Sequence, residues 1–233
     1  MSLFCVFCGL SVDRHFSFIY NKYINRIGGE GDRTMEKGRI IVISREYGSG
    51  GSEIGRRLAE SLGVPYYDKH FIDKAVENAG LSPDFMEEEE QKFINSLLFS
   101  LATGGYRHTG DKAMADQVYI AECNAIREVA SQGPCVIVGR CADYVLKDEY
   151  DVFSVFVHAD MAARVQRVID KGDADARRAE QYVKNRDRAR ARHYEYYTDR
   201  TWGAPSNYHL TVNSSRLGMD GCVEIIRHAL ETV

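Results

Sequence analysis

Residues Arg39–Gly55 read Arg-Ile-Ile-Val-Ile-Ser-Arg-Glu-Tyr-Gly-Ser-Gly-Gly-Ser-Glu-Ile-Gly, and no other stretch limits the fold as tightly. Ile40–Ile43 is an unbroken β-branched run, the pattern of a strand buried on both faces. Gly48, Gly50 and Gly51 break it with residues that tolerate positive φ. Ser52 is expected to cap the helix that follows, whose apolar stripe is Ile54, Leu58 and Leu62. Strand, glycine turn and helix together make a phosphate loop, because backbone N–H groups and the positive end of a helix dipole converge there on one anion.

A plain glycine-rich βα turn needs fewer glycines than three within four residues, which favours phosphate binding by Gly48, Ser49, Gly50, Gly51 and Ser52. The common nucleotide-binding form is Gly-x4-Gly-Lys-Ser/Thr. Aligned on Gly50 and Ser52, this chain carries Arg45 in place of the first Gly and Gly51 in place of the Lys. A second cation must therefore replace that Lys if the loop holds ATP.

The chain has 233 residues, enough for one substantial domain with a buried core. Its net charge of −4 gives no electrostatic case for nucleic acid. No apolar run reaches the length of a membrane span. The six cysteines are scattered, and a chain this size needs no disulfide staples, so a reducing, cytoplasmic setting is expected. Cys5-x2-Cys8 is half a zinc spacing with no second pair.

Residues 1–38 match nothing that follows and are expected to be a peripheral extension and linker. A polypeptide starting at Met35 would suit the strand at Arg39, with the residues before it arising from an upstream start codon. Val64–Tyr67 is a short strand candidate, and Asp68 and Lys69 at its carboxyl end fall near the loop if the strands are parallel. Asp68 as a helix cap is the equal alternative. A helix is expected over Phe71–Ala79, another from Ser82 to Ala102, and a loop over Thr103–Asp111. A further helix, Val118 to Gly133, leads to a buried strand at Cys135–Val138. Arg140, just past that strand, sits where α/β sheets bind ligands and reads as a phosphate ligand, with an ion pair as the alternative. Val152–Val157 and His209–Asn213 are the remaining strands. Met161–Ile169 and the stretch around Met219–Leu230 are helices.

Asp173–Asp199 is a helical stretch carrying seven basic residues, among them Arg186, Arg188, Arg190 and Arg192. Arg186 and Arg190 share one face. Arginines two residues apart cannot all meet one phosphate, so about two are expected at the site.

Together, Ile43–Ser52, Tyr67-Asp-Lys69, Val138-Gly-Arg140, Arg186-Asp-Arg-Ala-Arg190 and Asn207–Asn213 resemble the nucleoside monophosphate kinases, and most of all the cytidylate kinase-like family. The resemblance implies a three-layer α/β fold: a parallel sheet of about five strands with helices on both faces, plus a helical lid. It assigns residues 39–233 to the kinase-like domain, 69–112 to an acceptor-side helical insert and 173–204 to the lid. It implies phosphoryl transfer from ATP with Mg²⁺ to a small phosphorylated acceptor, most readily a nucleoside monophosphate. Loop residues Gly48–Ser52 would hold ATP, with Ser52 on Mg²⁺ and Asp68 or Glu46 holding that ion through water. Arg140 and Asp68 would meet the acceptor, and Arg186, Asp187 and Arg190 would belong to the lid. Lys69 is the first choice to replace the missing Lys, ahead of Arg45 and the lid arginines. The acids that flank Gly-Arg in cytidylate kinases are Val138 and Cys141 here, which opens the acceptor identity. A nucleotide sensor without chemistry, and a P-loop enzyme using another acceptor or a phosphosulfate donor, are the rival expectations.

Overall fold

In this computed structural model the described residues are 39–78 and 109–232, with side chains described over 39–76 and 116–232. Five parallel strands form one sheet: β1 (Ile40–Arg45), β2 (Tyr66–Tyr67), β3 (Cys135–Val138), β4 (Val152–His158) and β5 (Leu210–Asn213). Their order is β2-β3-β1-β4-β5. Register runs Ile40↔Cys135 to Ile43↔Val138 on one side of β1, and Ile40↔Val152 to Arg45↔Val157 on the other.

The β-branched run explains the layering. Successive side chains of a strand point to opposite faces. Ile40 and Val42 join Ile72, Ile126, Ile137 and Leu146 in one core. Ile41 and Ile43 join Ile54, Leu58, Val155 and Ile226 in the other. On the first face lie α2 (Lys69–Asn78), α3 (Thr109–Ser131) and the short α4 (Ala142–Val145). On the second lie α1 (Gly51–Leu62) and α7 (Ser214–Thr232), the latter kinked at Gly218. Helices on both faces of a wholly parallel sheet make the three-layer architecture expected above.

The remaining helices, α5 (Met161–Asp170) and α6 (Ala179–Thr198), pack on each other around Val168, Ala179 and Val183. They share a small core of their own, and α6 lies within the stretch 173–204 expected as the lid.

Several boundaries differ from expectation. Gly50, not Ser52, is the N-cap of α1, in left-handed backbone at φ 83. A hydroxyl cap is unnecessary there because Gly reaches that conformation without strain. The second strand keeps only Tyr66 and Tyr67. Helix α3 already includes Thr109–Asp111, so the loop expected over Thr103–Asp111 is helical at its end; the helix expected from Ser82 to Ala102 lies outside the described residues, as do residues 1–38. Helix α6 starts at Ala179 instead of Asp173, because the Asp175 carboxylate accepts from the Arg177 and Arg178 amides and turns the chain first. The four described cysteines, Cys123, Cys135, Cys141 and Cys222, are buried free thiols. No described helix is long and apolar enough to cross a membrane.

Candidate functional site

The loop leaves β1 at Arg45, at the carboxyl edge of a central strand flanked by β3 and β4. Gly48 and Gly50 hold φ of 75 and 83. At Gly48 a Cβ would come within 2.7 Å of the Arg164 carbonyl oxygen, so this turn has no room for a side chain. Ser49 is buried beneath the loop rather than on its wall. Its hydroxyl donates to the Glu46 carbonyl at 2.8 Å and accepts from the Gly51 amide at 3.4 Å, while its own carbonyl accepts from the Ser214 hydroxyl. Ser49 therefore braces the loop from beneath, while Gly48 and Gly50 beside it line the concavity.

The amides of Gly48, Gly50, Ser52 and Glu53 have no protein acceptor among the described residues. All four residues line an open concavity with an empty volume of about 650 Å³. Free N–H groups at the start of a twelve-residue helix make an anion cradle.

Cations ring the cradle. Arg45, Arg167, Lys171 and Arg190 all line it. Arg167 donates to the Gly48 carbonyl at 2.9 Å. Arg190 donates to the Arg45 carbonyl at 2.9 Å and lies 5.1 Å over the Tyr47 ring. Arg167 comes from α5 and Lys171 caps its carboxyl end, a stretch the sequence marked only as a helix. Their spacing of four residues on one face was the available signal. Of the lid arginines, only Arg190 reaches this wall. Arg186 instead donates to the Tyr182 hydroxyl at 2.9 Å and stacks over that ring at 5.1 Å.

An acidic network ties the lid to the loop. Asp187 accepts from the Tyr47 amide at 2.7 Å and pairs with Arg164. Arg164 also faces Glu46 at 3.4 Å, and Glu46 accepts from the Ala159 amide at 3.0 Å. The Tyr47 hydroxyl donates to Asp173 at 3.1 Å. Arg164 is only 5% exposed, so its carboxylate partners offset the cost of burying its charge. Asp187 thus has one oxygen engaged by the loop and the other by Arg164. Glu46 is likewise held in this network.

The acceptor-side residues lie apart from the concavity. Asp68 accepts from the Phe71 amide at 3.2 Å and so caps α2. Lys69, on the first turn of α2, pairs with Asp73 at 3.4 Å and is not on the concavity wall. Arg140 bridges Asp73 at 2.6 Å and Glu122 at 2.8 Å, with 9% of its side chain exposed. Its guanidinium is thus held, mostly buried, between these two carboxylates. Its own φ of 56 and that of Cys141 at 54 turn the chain sharply after β3.

Mg²⁺ is implied by the resemblance. Among the described residues no cluster of three or more His, Cys, Asp or Glu side chains could hold a metal. The Ser52 hydroxyl, on the concavity wall and without a partner among the described residues, fits an ion that arrives on a polyphosphate and keeps its waters.

A family model described as the cytidylate kinase-like family matches residues 40–216. The chain is 26% identical over 195 residues to a cytidylate kinase of Natronomonas pharaonis, covering 82% of this chain and 88% of that protein. It is 27% identical over 188 residues to a cytidylate kinase of Aeropyrum pernix, covering 79% and 95%. Its fold is similar to the crystal structure of an uncharacterized protein from Eubacterium ventriosum, with a TM-score of 0.65, 23% identity, and coverage of 84% and 99%.

Proposed function

The chain belongs to the cytidylate kinase-like family, and from that premise we propose that it transfers the γ-phosphoryl group of ATP to a small phosphorylated acceptor. One observation carries this reading: four unsatisfied loop amides and the side chains of Arg45, Arg167, Lys171 and Arg190 share one open concavity. Amides and guanidiniums in that arrangement match a polyphosphate, which offers many acceptor oxygens and several negative charges.

The chemistry needs alignment and positive charge more than covalent help. An acceptor phosphate oxygen forms a bond to the γ-phosphorus. The bond from that phosphorus to its bridging oxygen breaks, and ADP leaves with the electron pair. An acceptor phosphate is already deprotonated, so no general base is required. The loop amides and Arg167 hold the donor phosphates, and Arg190 closes over them from the lid. The metal, held by the phosphates with Ser52 beside it, would neutralise charge developing on the bridging oxygen. Arg140 is the acceptor-side cation, and an incoming dianion would take over part of its pairing with Asp73.

A nucleoside monophosphate is the acceptor we favour, with CMP to be tried first. Val138 and Cys141 beside Gly139-Arg140 leave room for another base. The buried free thiols suit a reducing cytoplasm. A second reading, a nucleotide sensor, draws on the way Asp73 and Glu122 both engage Arg140.

Thermal unfolding with ATP, with and without Mg²⁺, tests binding, and product analysis over a panel of monophosphates tests chemistry. Equal amounts of ADP and phosphorylated acceptor, formed only when both substrates are present, are expected. Stabilisation by ATP with no transfer to any acceptor would favour the sensor. Stabilisation by a phosphosulfate donor alone would replace the kinase reading.

A further inference from the structure

The usual loop Lys is absent, and the structure indicates why it could not be present. Gly51 occupies its place in the motif. An added Cβ at Gly51 would sit 2.5 Å from Cβ and 3.0 Å from Cγ of Arg45. Real Cβ atoms do not approach that closely, and the obstacle is the stem of Arg45 close to the backbone, which cannot swing aside. Arg45 in turn stands where the motif normally has its first Gly.

The Arg45 side chain runs from that position across to Gly139, at the end of β3. A Cβ at Gly139 would fall 2.0 Å from Arg45 Nη1. The guanidinium therefore lies at the edge between the donor loop and the turn that carries Arg140. Its Nε is buried and has no partner among the described residues, and no described carboxylate is within hydrogen-bond reach of the group. A guanidinium left unpaired in such a place lacks an anion.

We propose that the two loop positions have exchanged roles: Arg45 supplies from the first position the phosphate-binding cation that a Lys at position 51 supplies elsewhere, and the two side chains exclude each other. The inference rests on the donor-loop reading above and adds which residue replaces the Lys. It displaces Lys69 from that role. Gly51 and Gly139 become parts of the same device, one leaving room for the stem and the other for the head.

A reciprocal exchange tests this, with inorganic tripolyphosphate as the probe and calorimetric titration as the readout. Arg45→Gly is expected to weaken tripolyphosphate binding at least about tenfold, the effect of losing one charge-assisted contact. Gly51→Lys alone is expected to weaken it too, because its stem collides with Arg45. The double variant, Arg45→Gly with Gly51→Lys, is expected to bind more tightly than either single variant. Arg45→Gln preserves side-chain bulk without the charge and covers a folding failure of Arg45→Gly. Gly139→Ala, which would displace the guanidinium, should resemble Arg45→Gln. Unchanged binding in both Arg45 variants overturns the proposal, as does a double variant no better than Arg45→Gly. Phosphoryl transfer is measured in parallel. Arg45-dependent binding without transfer sustains the exchange and sinks the kinase reading. Transfer that is indifferent to Arg45 does the reverse.

Discussion

At the scale of single residues, the loop trades stability for charge. Burial, with the neighbouring charge of Arg190 next, brings the Arg45 guanidinium down to about 9. At neutral pH the folded and unfolded chains both hold that proton, so the native state bears the cost of an unpaired cation. Above about 9 the folded chain sheds the proton while the unfolded chain keeps it, and stability from this group rises with pH. Arg45→Met is therefore expected to raise the melting temperature near neutrality by about 2–4 °C, a change of about 1 kcal/mol. The gap from wild type should narrow above pH 9, as calorimetry at two pH values would register. Arg167→Gln removes a cation from the concavity while keeping a donor for the Gly48 carbonyl. It is expected to weaken ATP binding about tenfold by titration, with the melting temperature nearly unchanged.

At the scale of elements, the lid is fastened to the loop by one buried arginine and its carboxylates. Asp187→Ala would strip Arg164 of a partner and leave the Tyr47 amide without its acceptor. The expected cost is about 3–5 kcal/mol in urea unfolding. The double variant with Arg164→Leu should cost less than Asp187→Ala alone, because the uncompensated charge is gone. Equal costs would mean that packing, not charge, governs this contact. The periodicity of α6 was legible in its residues. Which of its arginines faces the loop was not, because rotation of the helix is fixed by Val183 and Ala179 packing against Val168 on α5.

At the scale of the whole molecule, the sheet and the helices packed on it carry three cores among the described residues. The Ile40 amide donates to the Asp151 carbonyl at 2.8 Å, so the central strand is anchored at its first residue. A chain begun at Met35 is therefore expected to unfold cooperatively and to bind tripolyphosphate as the full chain does. Failure of that shorter chain to fold would assign the preceding residues a structural role. Hydrogen exchange should be slowest in β1, which pairs with β3 and β4 on its two sides.

The order of residues alone determined the layered sheet and the position of the anion loop. Both follow from local rules: a strand alternates its faces, an uninterrupted β-branched run needs cover on two sides, and glycines permit left-handed turns. Tertiary structure decided which charges meet. Ser49 and Asp187 both make contacts within the fold that their spacing did not show, because buried donors and acceptors must find partners there. Arg167 and Lys171, given no role from the sequence, are brought to the loop by α5 and its carboxyl cap. Arg45 and Gly51 are separated by five residues, and the mutual exclusion of their side chains exists only where the returning turn folds them onto one point.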